Sequence, residues 1–233
     1  MLEKAELTLI IMLSKTKKVI TTHLIVLCSV ASRKLFYSIA WRVGTLSLQF
    51  VPPAEGGGME IIMKEITTLR IAGIIRESIV DGPGIRFAVF GQGCPHNCAD
   101  CHNPDSHDFE GGYDCAIDKI LEEIDKNPLL KGVTFSGGEP FCQAEEFAFL
   151  GEKIRERGLS VVTFTGYTYE ELLDMNDEST DRLLEVTDLL IDGRYEADKR
   201  DLTLRFRGSG NQRIIDMNKT REAGSMVLAE EYM

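Results

Sequence analysis

Three of the six cysteines in this 233-residue chain crowd between positions 94 and 101, in the stretch Gly93-Cys94-Pro95-His96-Asn97-Cys98-Ala99-Asp100-Cys101-His102-Asn103-Pro104. Thiolates spaced C-x3-C-x2-C can hold three irons of a 4Fe-4S cluster and leave the fourth iron without a protein ligand. An open iron is a place for a substrate to bind, as is the open position of a three-ligand zinc site. A cluster that only relays electrons wants a fourth cysteine at short spacing, and neither Cys115 nor Cys142 falls in such a pattern. The same residues admit a second reading, zinc held by the three cysteines with His96 or His102. Six cysteines over this length do not make a disulfide framework, which points to a reducing compartment, the cytoplasm.

A second group, Ser136-Gly137-Gly138-Glu139-Pro140, sets two residues without side chains ahead of an acid. Backbone groups there can approach a ligand closely, and the acid can receive a cationic amino group. A Gly-Gly pair is also an ordinary turn between a strand and a helix, so its meaning comes from its position.

The elements around these groups supply that position. An apolar run at 86–90, closed by Gly91, predicts a buried strand running into the cysteines, and a second strand at 132–135 runs into the Gly-Gly pair. Between them, Ile117, Ile120, Leu121 and Ile124 at helical spacing predict a helix over 116–126 with Asp114 as its cap. Phe147, Leu150 and Ile154 share one face of a helix predicted over 143–157; strands at 160–164 and 188–191 and helices at 169–175 and 181–186 follow. Strand and helix alternate, which predicts an α/β fold with a parallel sheet or partial barrel and function gathered in the loops at the C-terminal strand ends.

Composition narrows the function classes. Hydrophobic residues at 43% and charged residues at 27% are ordinary for a globular chain and exclude disorder and a multi-span membrane protein. The net charge of −11 excludes sequence-independent binding of nucleic acid, whose phosphates would repel it. The charge is uneven: residues 1–58 carry seven Lys or Arg against three acids, and the acidic excess lies beyond them. The chain therefore divides into an atypical N-terminal extension, 1–62, and a main domain, 63–233. The extension lacks clean periodicity, and its most apolar stretch, 19–31, is too short to span a bilayer. It reads as a signal peptide, as an accessory segment or, preferred, as upstream sequence read in frame ahead of a start at Met59 or Met63. Codons for Glu55-Gly56-Gly57-Gly58 can spell a purine-rich ribosome-binding site.

Taken together, the cysteine spacing and the Gly-Gly-Glu group resemble the radical S-adenosylmethionine enzymes. The resemblance implies an incomplete TIM-like β/α barrel, a 4Fe-4S cluster on Cys94, Cys98 and Cys101, and S-adenosylmethionine chelating the open iron. It also implies that Gly137, Gly138 and Glu139 face the methionyl amino group, and that the backbone at Asp100 and His102 lies along the nucleoside. The family often places an aromatic residue beside the third cysteine; here the neighbours are Asp100 and His102.

Val80-Asp81-Gly82-Pro83-Gly84-Ile85-Arg86 and Cys101-His102-Asn103-Pro104 are similar to glycyl-radical-enzyme activating proteins. Thr165-Gly166-Tyr167-Thr168-Tyr169-Glu170-Glu171-Leu172, the stretch from Asp188 to Glu196 and the stretch from Arg205 to Arg213 resemble the branch that activates anaerobic ribonucleoside-triphosphate reductase. That branch implies a protein substrate, the large reductase subunit, and an electron donor such as reduced flavodoxin or ferredoxin. The activators of pyruvate formate-lyase or another glycyl radical enzyme are the alternative. The later residues also have plainer readings. Arg205, Arg207 and Arg213 are either solvated charges or a loop for an anionic group. Asp192 contacts ribose or a cation, or caps a turn. Asp81 and Arg86 fix the loop ahead of the first strand, and His23, His96 and His107 are structural or exposed.

Overall fold

The computed structural model describes the backbone of residues 3–12, 19–28, 46–51 and 60–232, and side chains from 66 to 232. Contacts divide the chain into two units, Met1–Val43 with Ser47–Lys64 and Gly44–Leu46 with Glu65–Met233. In the N-terminal part, β1 (Glu3–Met12) and β2 (Val19–Cys28) form an antiparallel pair in register from Glu3 opposite Cys28 to Met12 opposite Val19. Strands β3 (Leu46–Val51) and β4 (Glu60–Glu65) form another two-stranded sheet. Strands appear where no periodicity predicts them because β-branched Ile, Val and Thr favour extended backbone even without alternation. Glu55 to Met59 and the small residues near Ala31 lie outside the described residues.

The second unit is one seven-stranded sheet in the order β11-β10-β9-β8-β6-β5-β7. Its centre is four parallel strands: β6 (Arg86–Gly91), β8 (Gly132–Gly137), β9 (Ser160–Phe164) and β10 (Leu189–Asp192). Antiparallel strands flank them, β5 (Thr68–Ser78) and β7 (Tyr113–Ala116) on one side and β11 (Arg213–Asp216) on the other. The two end strands, β7 and β11, do not pair, so the sheet stays open as an incomplete β/α barrel.

Parallel strands must be joined by crossovers, and helices make them. Helix α1 (Ile117–Asp125) precedes β8, α2 (Ala144–Glu156) joins β8 to β9, α3 (Tyr169–Asp174) and α4 (Glu178–Val186) join β9 to β10, and α5 (Met217–Ala223) follows β11. Phe87, Val89, Val133, Phe135, Val161 and Leu190 are buried in the strands and meet Ile120, Ile124, Phe147, Leu150, Ile154 and Leu183 from the helices. Each such apolar side chain removed from water contributes roughly 1.5–3 kcal/mol.

Two local differences from the expected elements have clear causes. Asp114 does not cap α1: the N-cap is Ala116, without a side-chain bond, because β7 holds Asp114 in a strand where it pairs with Arg70 at 3.2 Å. Helix α4 starts at Glu178, ahead of the predicted 181, because the Asp177 side chain accepts from Thr180 N at 2.8 Å and caps it.

Candidate active site

Four parallel strands end on the same side, and the turns after them meet. The loop after β6 carries the cysteines, the turn after β8 carries Gly138 and Glu139, the turn after β9 carries Thr165 and Gly166, and Gly193 follows β10. One cavity of about 120 Å³ is lined by residues from all four, among them Cys94, Cys98, Cys101, Gly138, Gly166 and Gly193.

The cysteine loop is shaped by its own backbone. Gly93 N donates to Ser106 O at 2.8 Å and Cys94 N to His107 O at 3.1 Å, which closes the loop on the short 3-10 turn Pro104–Ser106. Asn97 and Asp100 hold left-handed φ angles of 47° and 55°. Asn and Asp are the non-glycine residues that adopt this region most readily. All three thiols are free and partly exposed, and Asn103 N lies 3.4 Å from Cys101 Sγ. Burial pushes the Cys94 thiol up, so a bound metal must favour its thiolate. Among the described residues no three His, Cys, Asp or Glu side chains gather as closely as a single ion needs. A cluster needs no such gathering, because its thiolates bind different irons. The residues therefore fit a 4Fe-4S cluster: three free thiols, on one loop, facing one cavity.

The Gly-Gly-Glu group docks on that loop. Gly138 N donates to Gly91 O and Glu139 N to Gly93 O, both at 2.8 Å. A Cβ on Gly138 would lie 2.4 Å from Gly93 O, and one on Gly137, at φ 93°, would lie 2.6 Å from Phe90 Cα. Glycine is required at both positions by the approach of β6 and the loop after it. Glu139 has a fully buried side chain. Its Oε1 accepts from Phe141 N at 3.1 Å and Thr165 Oγ1 at 2.9 Å, and its Oε2 from Gly166 N at 2.8 Å, with His96 Nε2 also 2.8 Å away. The acid expected to face the methionyl amino group is thus surrounded by donors of its own chain. Asp100 is exposed, and the His102 ring packs on Tyr195 with centroids 4.7 Å apart.

Farther along the chain, Asp192 is buried, accepts from Tyr169 N in the first turn of α3 at 2.8 Å and pairs with Arg213. Arg213 also reaches Glu170, and these two acids raise its pKa. Arg86 is buried and donates to Thr134 Oγ1, Val133 O, Ser160 O, Ser160 Oγ and Pro83 O, tying the starts of β6, β8 and β9 together. His107 lines the cavity with its Nε2 buried and without a hydrogen-bond partner among the described residues. Tyr195, Gln212 and Thr165 also line it; they belong to the later stretches that carry the resemblance, but the sequence assigns them no role at the cavity, because the fold brings those stretches there.

A family described as a 4Fe-4S single cluster domain matches residues 80–215. The anaerobic ribonucleoside-triphosphate reductase-activating protein of Vibrio cholerae is 33% identical over 144 residues, covering 58% of this chain and 90% of the relative. The chain belongs to the radical S-adenosylmethionine family of 4Fe-4S activating proteins. Its cofactors are the 4Fe-4S cluster and S-adenosylmethionine. The reductase-activating protein of Pasteurella multocida is 34% identical, with the same coverage. The pyruvate formate-lyase-activating enzyme of Clostridium pasteurianum is 38% identical over 117 residues, covering 46% of this chain and 49% of the relative. The chain thus spans about half the length of that relative. No helix among the described residues is long and apolar enough to cross a membrane.

Proposed function

We propose that this chain activates an anaerobic ribonucleoside-triphosphate reductase by generating a glycyl radical on its large subunit. The observation that carries the reading is coverage: the likeness runs through 90% of the reductase-activating relatives but about half of a lyase-activating one.

Cys94, Cys98 and Cys101 would hold three irons, and Gly137, Gly138 and the backbone at Asp100 and His102 would line the place of the nucleoside and methionyl groups. Bound there and supplied with one electron, S-adenosylmethionine provides the organic radical that takes a hydrogen atom from the α-carbon of the client glycine. No general acid or base is required of the protein. Its part is to orient and to exclude water. The open sheet suits a protein substrate. A groove of about 420 Å³, lined by Ile79, Val80, Leu202 and Arg205, shares His102 and Phe164 with the cofactor cavity. Ile79, Val80 and Leu202 are 75%, 70% and 83% exposed, as a surface for an apolar segment of the client requires. Reduced flavodoxin or ferredoxin would supply the electron, and the cytoplasm is where such partners meet.

The test is to mix the reconstituted, reduced chain and S-adenosylmethionine with the reductase and record paramagnetic resonance; the expected result is a glycyl radical doublet. The higher local identity to the lyase activator favours pyruvate formate-lyase as the second reading. A doublet on that lyase and none on the reductase would establish it.

A further inference from the structure

We propose that His96 and Glu139 form a positioning pair that sets the cysteine loop against the ends of β8 and β9, Glu139 serving protein donors in place of the ligand's amino group. The proposal rests on the cofactor reading above, not on the identity of the client.

A carboxylate offers about four acceptor sites. Those of Glu139 face His96 Nε2, Gly166 N, Thr165 Oγ1 and Phe141 N, at 2.8, 2.8, 2.9 and 3.1 Å. Its side chain is 0% exposed and that of His96 is 5% exposed. His96 stands at the middle of the three residues between Cys94 and Cys98, so its ring anchors the part of the loop that the first two thiols flank. The ring is clamped from two further sides. Tyr167 meets it edge-on with centroids 4.4 Å apart, and a Cβ on Gly166 would fall 2.3 Å from Cδ2. One buried carboxylate therefore joins three segments distant in sequence: the cysteine loop, the turn after β8 and the turn after β9. Against an ionised carboxylate, which only accepts, Nε2 carries a proton and donates to Oε2.

A loop held in this way keeps its thiols aimed while left-handed residues at Asn97 and Asp100 strain its backbone. Without the donor at His96, the cysteines keep their spacing in sequence and lose their common orientation. His96, which also borders the cavity, thus acts through the aim of the thiols on either side of it.

The experiment uses the full chain, reconstituted anaerobically with iron and sulfide. H96L removes the donor at similar volume, and H96Q restores an N–H near the same place. Three quantities are read: iron per chain, the melting temperature of the apo chain, and the change in the reduced paramagnetic spectrum on adding S-adenosylmethionine. The proposal expects H96L to hold at most half the wild-type iron and to lose the spectral change, and H96Q to recover both. An H96L chain with wild-type iron and a wild-type spectral change overturns it. So does an H96L chain whose only defect is a lower melting temperature, the mark of a merely structural contact. Where H96L does not fold, H96Q decides: folded with the spectral change it supports the pair, folded without it the pair is overturned. A wild-type chain that takes up no iron overturns the cofactor reading itself, and the proposal with it.

Discussion

Gly166 lies so close to the imidazole of His96 that an added Cβ would meet Cδ2 at 2.3 Å. Gly166 N also donates to Glu139, so the backbone cannot retreat from the ring without breaking a buried bond. Gly166→Ala should therefore destabilise the apo chain by about 1–3 kcal/mol, the usual cost of overpacking a filled site. Denaturant unfolding measures it, and an unchanged midpoint would refute the contact.

Replacing Cys94, Cys98 or Cys101 by Ala should reduce bound iron to background and abolish reductive cleavage of S-adenosylmethionine. Cys115→Ala and Cys142→Ala should leave both intact. Cys115 sits in β7, where its thiol faces Ala116 O. Cys142 follows Glu139 in a short turn, and burial, with Glu139 and Cys94 nearby, pushes its thiol up to about 12. Iron analysis and methionine release distinguish the two groups.

Among the described residues no carboxylate bonds to Arg86, which makes five hydrogen bonds from a fully buried position. Burial lowers its pKa to about 10. Arg86→Met leaves several buried acceptors unpaired and should cost on the order of 3 kcal/mol. Arg86→Lys should recover little, since a point ammonium cannot match the guanidinium fork. Thermal melts of the two variants test this.

The hydrogen bond from Arg213 holds Glu170 below its ordinary value of 4.5. A depressed carboxylate stabilises the fold above its unfolded pKa, and that contribution is lost as pH falls through the folded value. Glu170→Gln should therefore flatten the fall in melting temperature between about pH 5 and pH 3. The pair is partly exposed, with side chains 28% and 58% accessible, so the effect at neutral pH should stay below about 1 kcal/mol. An acid melting profile identical to that of the parent chain would refute the role.

A chain begun at Met63 should bind iron and cleave S-adenosylmethionine as the longer chain does, since every residue placed at the cavity lies beyond position 90. Iron content and turnover of the two chains, side by side, check this.

The metal chemistry was legible because it is local. Three thiols within eight positions, and two glycines ahead of an acid, carry their meaning in a short stretch of chain, and the alternation of apolar runs was enough to place each at a strand end. The flanking strands were harder to read. β5 alternates buried and exposed positions only over its first five residues, and β7 and β11 are only four residues long. Which side chains face one another is a different matter. Nothing in the spacing told that His96 would reach Glu139 across 43 positions, that Asp192 would engage Arg213, or that Tyr195 would pack on His102. Those pairings follow from strands lying side by side, parallel at the centre and antiparallel between β10 and β11, where Asp192 stands opposite Arg213, and hydrogen bonds between residues distant in sequence form only once that register exists.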